Sequence, residues 1–326
     1  MKAFYLSKFG STSFLKIKDI PKPEPGKNEV LVKMKATAVN DYDWSMITGR
    51  PYAYRLMFGF FKPRNPVPGM EIAGVVEAIG EGVSKFKVGD AVFGDTSDFG
   101  FGTMAEYMAI NENALTLKPE NLSFEEAVTL PHAALLAWQG LVEMGQIQQG
   151  QKILINGAGG GVGTFALYIA KTFNCHVTGV DTGAKLSNMK AIGYDEVIDY
   201  KKGDFTKGRE KYDLILDAKT CKSPFSYSKA LHPNGKYITV GGYLNSLLQM
   251  LFLKSFVKQS FQILALKPNK GIEHILKLWE DGKIKTVIDG PYSFEKTPEA
   301  IQRFGDAVHA GKVIIRNDEF QMTNYE

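Results

Sequence analysis

Alternating hydrophobic and polar residues in the first third of the chain predict short β-strands. Within residues 29–40, Val30 and Val32 share one face, whereas Lys33 and Lys35 point the other way. Residues 71–79 and 104–110 favour further strands, and Pro and Gly residues mark the turns between them. Short strands at this spacing are typical of a rolled, β-rich domain.

The pattern changes after about residue 121. Ser123 and Glu126 have the spacing of a capping box at a helix start. An apolar strand at 153–156 is followed by apolar residues at helical spacing over 162–173, and strands and helices then alternate. Such alternation predicts a parallel sheet with right-handed crossovers, so the fold class is α/β.

Residues 244–266 are unusually rich in Leu, Phe and Ile, and their length approaches that of a membrane span. They also contain Lys254 and Lys258, and each central lysine costs a few kcal/mol on insertion. We therefore predict no membrane span. We expect a buried or subunit-facing amphipathic segment, with contact to a membrane or an apolar partner as the alternative.

Composition narrows the class of protein. The 326 residues are 44% hydrophobic and 23% charged, which fits about two globular domains and excludes a disordered or coiled-coil chain. The net charge of +4 is scattered, so no nucleic-acid surface is expected. The low cysteine content, Cys175 and Cys221, and a start without a long apolar run favour a cytoplasmic protein.

A glycine-rich turn between a strand and a helix is the sharpest local motif. Ala158-x-Gly160-x-x-Gly163 fits the dinucleotide fingerprint in the strand–turn–helix context that this fingerprint requires. Gly160 would let the backbone approach a diphosphate, and amides at the helix start would stabilise the anion. The candidate residues are Ala158, Gly159, Gly160, Gly161 and Val162. The alternative is a tight turn that binds no ligand.

The residues after the next strands leave the form of the dinucleotide open. Asp181 ends the second strand, where an acid would hydrogen-bond the adenosine ribose and favour NAD. Lys185 and Tyr200 follow, and both could hold a 2′-phosphate, which would favour NADP.

Several motifs together resemble one known family. They are Ala38-Val39-Asn40-x-x-Asp43, residues 69–76, residues 88–94, residues 102–107, the glycine turn and Val197-Ile198-Asp199-Tyr200. The chain resembles the medium-chain dehydrogenase/reductase superfamily, and most of all its zinc-free quinone oxidoreductase branch. The resemblance implies a GroES-like β-rich catalytic domain (1–121 and 268–326), a Rossmann domain (122–267) and a homodimer.

The resemblance also implies which residues bind the cofactor. Beyond the glycine turn, these are Asn40, Thr129, Lys185, Tyr200, Gly241 and Gly242. In this branch, residues matching Lys185 and Tyr200 contact the 2′-phosphate, so NADP(H) is preferred. Asp181 departs from the branch, which more often has a small neutral residue there, and keeps NAD(H) as the alternative.

No metal is expected. Zinc-using relatives have Gly-His-Glu where this chain has Gly69-Met70-Glu71, and a thioether is a poor zinc ligand. Their cysteine ligands are also missing, and no His pair has metal-ligand spacing. Glu71 and Asp43 are then expected to be structural.

Without a Lewis acid, nothing would stabilise the alkoxide of a simple alcohol, so an electron-poor acceptor is favoured. The hypothesis is NAD(P)H-dependent reduction of a quinone or an α,β-unsaturated carbonyl, a small electrophile. Asn40 is the catalytic hydrogen-bond donor by family position, and Tyr52, Tyr54 and His132 are weaker candidates. The alternatives are an alcohol or aldehyde dehydrogenase of the same superfamily, a non-catalytic NADPH-binding redox sensor and, more remotely, a methyltransferase.

Overall fold

The computed structural model describes residues 1–241, 244–253 and 256–317 of the chain. The chain divides into two compact units, Met1–His132 with Ile288–Glu326, and Ala133–Val287. Both boundaries fall later than the domain limits predicted at residues 121 and 267.

Local hydrogen bonds account for these later boundaries. The backbone N–H of His132 donates to Glu71 within the first unit (3.0 Å). In the second unit, the Gln139 side chain donates to the carbonyls of Lys267 and Lys270 (2.9 and 3.1 Å). Hydrogen bonding therefore joins His132 to the first unit, and it joins Lys267 and Lys270 to the second unit.

The first segment of the first unit is mostly β, as its alternating pattern predicts. The Ser123 capping box is present, since Ser123 Oγ accepts from Glu126 N–H (3.2 Å) and Glu126 accepts from Ser123 N–H (3.1 Å). The elements are β1 (Lys2–Leu6), β2 (Leu15–Asp19), β3 (Glu29–Ala38), α1 (Asp41–Thr48), α2 (Tyr54–Phe58), β4 (Glu71–Ile79), β5 (Ala91–Asp95), β6 (Tyr107–Asn111), β7 (Thr116–Leu117) and α3 (Phe124–Ala127).

The second unit alternates strands and helices. Its elements are α4 (Leu135–Trp138), β8 (Lys152–Asn156), α5 (Gly161–Thr172), β9 (His176–Asp181), α6 (Leu186–Ile192), β10 (Glu196–Asp199), β11 (Tyr212–Asp217), α7 (Pro224–Ala230), β12 (Leu231–Thr239), α8 (Leu244–Leu253), β13 (Ser260–Ile263) and α9 (Ile272–Glu280). The chain then returns to the first unit with β14 (Ile288–Ser293), α10 (Thr297–Gly305) and β15 (Lys312–Arg316).

The sheet of the second unit is parallel, with strand order β10-β9-β8-β11-β12-β13. The chain moves outward from β8 to β10 and then crosses back to β11 on the other side of β8. The carboxyl ends of β8 and β11 therefore form the topological switch point at which open α/β sheets bind ligands.

The main sheet of the first unit joins both ends of the chain. Its strand path is β14-β15-β3-β4-β5-β7, and β6 also pairs with β3. The C-terminal strand β15 runs antiparallel to β3, with Ile314 opposite Ala38. This pairing brings the beginning of β15 close to the residue that follows β3.

The 244–266 segment is not one continuous element. It contains helix α8 and, after a break, edge strand β13. Met250 and Leu253 are buried, whereas Leu248, Leu251 and Phe252 are exposed. Within the described parts of the chain, no helix is both long enough and apolar enough to cross a membrane.

Two phenylalanines near this segment provide a matched stability test. Phe261 is 0% exposed and packs against Tyr237, whereas Phe256 is 70% exposed. Phe261→Ala should lower the free energy of unfolding of the second unit by about 3–5 kcal/mol, because it removes transfer energy and leaves a cavity. Phe256→Ala should change it by less than about 0.5 kcal/mol. Urea denaturation measures both, and equal losses would contradict the packing described.

Candidate functional site

The glycine turn follows β8 at the switch point of the second unit. Gly157 has φ of +83°, a conformation that favours glycine, and Gly160 precedes the first turn of α5 in an extended conformation. The N–H groups of a helix's first turn have no carbonyl partner within the helix. Gly161 and Val162 are half-buried, so their amides are available to a ligand.

Close packing fixes the shape of this turn. A Cβ on Gly163 would lie 2.5 Å from the Cα of Ala158, so a larger residue there would push α5 away from β8. The buried Tyr194 hydroxyl donates to the carbonyls of Ala158 and Gly163 (3.2 and 2.8 Å). Burial raises the pKa of Tyr194 well above its ordinary value, so it remains a neutral donor. The turn therefore fits a diphosphate at its helix end: the amides of Gly161 and Val162 are open, whereas the Gly160 amide donates to the carbonyl of Gly157 (3.2 Å), and the backbone is held in place.

Asp181 ends β9 and contacts this turn directly. Its carboxylate accepts from Gly159 N–H (2.9 Å) and from Thr182 N–H (2.7 Å). The Lys185 ammonium lies 3.6 Å from the same carboxylate, and both side chains are buried. The acid at the end of the second strand is thus an ion-paired group that supports the turn.

A buried polar network lies next to the turn at the ends of β8 and β11. The Asn156 side chain donates to Asp217 (2.8 Å) and to the carbonyl of Lys219 (2.7 Å). The Tyr237 hydroxyl donates to the other Asp217 oxygen (2.6 Å). Burial raises the pKa of Asp217 even though these donors favour its ionised form. Asn156 and Asp217 therefore hold the two switch-point strands in register.

The other predicted cofactor residues are distributed between the units. Thr129 belongs to the first unit and is fully buried, with its hydroxyl donating to the carbonyl of Glu126 (2.7 Å). In the second unit, Tyr200 is 38% exposed and its N–H donates to the carbonyl of Asp181 (3.2 Å). The carbonyl of Gly241 accepts from the Thr220 hydroxyl (3.1 Å). Gly242 lies outside the described residues.

In the first unit, the buried carboxylate of Glu71 binds three separate parts of the chain. One oxygen accepts from the Asn40 side-chain amide (2.7 Å) and lies 2.5 Å from the Lys312 ammonium. The other accepts from His132 N–H (3.0 Å). The Lys312 ammonium also donates to Asn40 Oδ1. Because an ammonium only donates, Lys312 fixes which way the Asn40 amide points.

Asp43 supports this cluster from the first turn of α1. Its carboxyl accepts from Asn40 N–H (2.8 Å) and Gly69 N–H (2.9 Å). Burial raises the pKa of Asp43 to about 7, against the lowering effect of these bonds and of the Lys312 charge. Asp43 therefore holds the backbone on either side of the cluster, as its predicted structural role requires.

His132 pairs with a second buried acid. Its Nδ1 lies 2.8 Å from Asp95, whose side chain is fully buried. Burial by itself would raise the pKa of Asp95, but the hydrogen bond and charge of His132 lower it overall. The ring centroids of His132 and Tyr42 lie 6.4 Å apart, and the two rings are nearly perpendicular. An acid–imidazole pair thus lies beside an aromatic cluster in the first unit.

That cluster contains part of residues 51–61, a stretch with three Phe and two Tyr. Tyr54 stacks on the buried Phe58, with ring centroids 5.9 Å apart, and Tyr42 contacts both rings. In contrast, Tyr52 is 64% exposed. Of the two tyrosines considered as weaker donors, only Tyr54 lies in the cluster.

Sequence reasoning missed Lys312 and the pairing of Asp95 with His132. The position of Lys312 directly before the apolar run 313–315 is the only signal for it in the sequence, since its partners lie far away in the chain. Within the described ranges, no group of three or more His, Cys, Asp or Glu residues could hold a metal ion. The predicted absence of zinc stays a prediction, which metal analysis of the purified protein would test.

The raised pKa of Asp43 predicts a pH dependence of stability. Between the ordinary value of 3.8 and about 7, folded Asp43 holds a proton that the unfolded chain has lost. Its contribution to stability should therefore fall as the pH rises from about 4 to about 7. The isosteric Asp43→Asn variant cannot lose this proton and should show a flatter profile. Urea denaturation across this range compares the two proteins, and parallel profiles would contradict the assignment.

Comparisons with known proteins agree with this architecture. Residues 26–120 match the alcohol dehydrogenase GroES-like domain, and residues 192–315 match the zinc-binding dehydrogenase family. The structure of the quinone oxidoreductase from Coxiella burnetii superposes with a TM-score of 0.87 and 26% identity, covering 98% of this chain and 99% of that one. The predicted α/β fold, with GroES-like and Rossmann parts, is confirmed.

Two curated relatives are similar over nearly the whole chain. Quinone-oxidoreductase QR1, chloroplastic, of Triphysaria versicolor is 34% identical, over 94% of this chain and 95% of its own length. NADPH-dependent alkenal/one oxidoreductase, chloroplastic, of Arabidopsis thaliana is 30% identical, over 97% of this chain and 79% of its own length. The chain therefore belongs to the medium-chain dehydrogenase/reductase superfamily of oxidoreductases, in its quinone-oxidoreductase-like branch.

Proposed function

We propose that this oxidoreductase uses reduced nicotinamide dinucleotide to reduce a quinone or an α,β-unsaturated carbonyl by hydride transfer. The names of the quinone and alkenal/one oxidoreductases among its relatives support this class of acceptor. The observation that carries the proposal is the Glu71 cluster. The Lys312 ammonium lies 2.5 Å from the buried Glu71 carboxylate and neutralises its charge. Met70, which precedes Glu71 in the chain, is a weak ligand for zinc.

The glycine turn would hold the diphosphate of the cofactor. The amides of Gly161 and Val162 would donate to its oxygens, and the N-terminal end of the α5 dipole favours the negative charge. The turn needs little reorganisation, because Tyr194 and Asp181 already hold it from two sides. When bound, the cofactor supplies the hydride.

Asn40 is the proposed donor to the substrate oxygen. Its Nδ2 carries two hydrogens and Glu71 accepts one of them, which leaves the second for a ligand. Contact of Lys312 with Asn40 Oδ1 polarises the amide and strengthens that remaining donor. As hydride reaches the electron-poor carbon, negative charge collects on the acceptor oxygen, where a fixed donor stabilises it. A proton from solvent then completes the reduction.

The Asp181–Lys185 pair favours NADPH over NADH. A free carboxylate at this position would repel a 2′-phosphate, but Asp181 already accepts two backbone amides and lies beside an ammonium. The Lys185 ammonium, which balances the charge of Asp181, would then also donate a hydrogen bond to the 2′-phosphate, and the exposed Tyr200 follows the adjacent strand. The name of the Arabidopsis relative includes NADPH dependence, which supports the same preference.

A homodimeric state and a cytoplasmic location belong to this proposal as predictions. The relatives described above are named as chloroplastic proteins, so the location in particular needs a direct measurement. Sedimentation of the purified protein and fractionation of its cells would test the two predictions.

An acceptor survey tests the proposed activity. The purified protein should oxidise NADPH with a quinone or an enone, and it should not oxidise simple alcohols with NADP⁺, with or without added zinc. Asn40→Ala should lower kcat by about a hundredfold, because a fixed donor to the developing oxyanion is lost. Asn113→Ala, which alters a surface asparagine in the same unit, is the matched control and should keep full activity.

Two results of this survey would refute the proposal. Turnover of alcohols with zinc, without reduction of any quinone or enone, would identify an alcohol dehydrogenase. Tight NADPH binding without turnover of any acceptor would identify a redox sensor.

Substitution of Lys185 tests the predicted preference for NADPH over NADH. Lys185→Ala should weaken NADPH binding by about tenfold to a hundredfold, because a contact to a charged group is lost, and should leave NADH binding nearly unchanged. Lys190→Ala removes an exposed lysine of α6 and is the control. Fluorescence titration of the wild-type protein and both variants with NADPH and with NADH measures the six dissociation constants. Equal weakening of NADPH and NADH would assign Lys185 a purely structural role.

A further inference from the structure

The imidazole of His132 has one ring nitrogen paired inside the protein and one that is open. Nδ1 lies 2.8 Å from Oδ2 of Asp95, and 12% of the His132 side chain is exposed. In the described ranges of the chain, no residue hydrogen-bonds the other nitrogen, Nε2, and this atom is not buried. Nε2 is therefore available to a ligand, and the donor role of Asn40 makes no use of it.

Asp95 determines the chemical state of this imidazole. It lies at the carboxyl end of β5, is fully buried and also accepts from the Ser97 N–H (2.9 Å). Burial acts to raise the pKa of Asp95, but the hydrogen bond and charge of His132 lower it overall, so the carboxylate is ionised. An ionised carboxylate can only accept, which places a hydrogen on Nδ1 and leaves Nε2 to gain and lose a proton. The negative charge also stabilises the imidazolium.

The Glu71 carboxylate holds this imidazole next to the proposed oxyanion donor. One of its oxygens accepts from the Asn40 side-chain amide (2.7 Å), and the other accepts from the His132 N–H (3.0 Å). All three residues belong to the first unit. Because one carboxylate holds both residues, an acceptor whose oxygen binds Asn40 would have its conjugated carbons beside His132.

The other proton-bearing groups of this cluster are enclosed or already in use. The Asp43 carboxyl is buried and accepts two backbone amides. The Lys312 ammonium is 5% exposed, and loss of its proton would leave the buried carboxylate beside it without a counter-charge. Burial raises the pKa of Tyr42, so its hydroxyl releases a proton less readily. His132 combines a titratable nitrogen with access to a ligand.

We propose that His132 is the proton donor of the reduction and that Asp95 is its positioning residue. The inference deepens the proposed function and rests on it. In an enone, the β-carbon accepts hydride, and the π electrons move onto the oxygen held by Asn40. The imidazolium then gives its Nε2 proton to the α-carbon, which forms the second C–H bond and restores the carbonyl. With a quinone, the proton goes to an oxygen instead. Solvent reprotonates Nε2, so each turnover consumes one hydride and one proton.

The pH dependence of kcat tests the proposal with any acceptor that the survey identifies. In the wild-type protein, kcat should fall as the pH rises and the imidazolium loses its proton. His132→Gln should lower kcat about a hundredfold and remove this fall, because the general acid is lost. Asp95→Asn should move the fall to lower pH, since the charge that stabilises the imidazolium is gone. A merely structural role of either residue would move neither profile.

The configuration of the product provides a second readout. Reduction of 2-methylcyclohex-2-enone creates a stereocentre at the α-carbon that receives the proton, and chiral gas chromatography measures its configuration. The wild-type protein should give one enantiomer in excess, because a fixed His132 delivers the proton to one face. His132→Gln should give nearly equal amounts of both, because solvent then supplies the proton.

Matched variants separate proton donation from other effects. His232→Gln removes an exposed imidazole of the second unit and should keep the wild-type rate, pH profile and product. Asp43→Asn should keep the fall of kcat with pH, although Asp43 itself has a pKa of about 7. All variants should keep the wild-type unfolding midpoint and the wild-type affinity for NADPH.

Two results would overturn the inference while the proposed function stands. One is a His132→Gln variant that reduces the acceptor with the pH profile of the wild-type protein. The other is loss of the product's configuration in Tyr42→Phe but not in His132→Gln, which would make Tyr42 the donor. A wild-type protein that turns over no acceptor in the survey would instead refute the proposed function, and this inference with it.

Discussion

The buried carboxylate of Glu71 is the interaction on which the first unit depends. It binds Asn40 after β3, His132 near the end of the N-terminal segment and Lys312 on the C-terminal strand β15. A buried charge that loses its partner costs several kcal/mol, so these three segments are fixed together. The same contacts orient the Asn40 amide. Stability and the proposed catalytic geometry therefore come from one carboxylate.

In the second unit, buried polar groups likewise hold the backbone in place at the switch point of the sheet. A ligand site there needs unpaired helix amides beside a sharply turned backbone, and both would relax without support. Tyr194 and Asp181 hold the turn from outside, and the Asn156–Asp217 pair holds the strands that flank it. All of these groups are buried, so their hydrogen bonds are made at low local dielectric. The turn is thus shaped by the fold before any anion binds.

Periodic and local features were predictable from the sequence. The strand at 71–79, the Ser123 capping box and the strand–turn–helix around Gly160 depend on neighbouring residues, and the structure has them at those positions. The roles of Lys312 and His132 depend on contacts between distant segments, which no local pattern encodes. The 244–266 segment shows the same limit. Its uniform apolar composition hides the change from helix α8 to strand β13, which tertiary pairing with β12 decides.

Asp181 shows why a residue type alone does not determine specificity. In the sequence, an acid at the end of the second strand favours a ribose with a free 2′-hydroxyl. In the structure, that acid accepts the Gly159 and Thr182 amides and pairs with Lys185, so its charge is balanced within the fold. The effect of a carboxylate on a neighbouring phosphate depends on the net charge around it, and a paired ammonium removes most of the repulsion. The same reasoning applies to Glu71 and Lys312: in each unit, a buried lysine changes what the nearby acid can do.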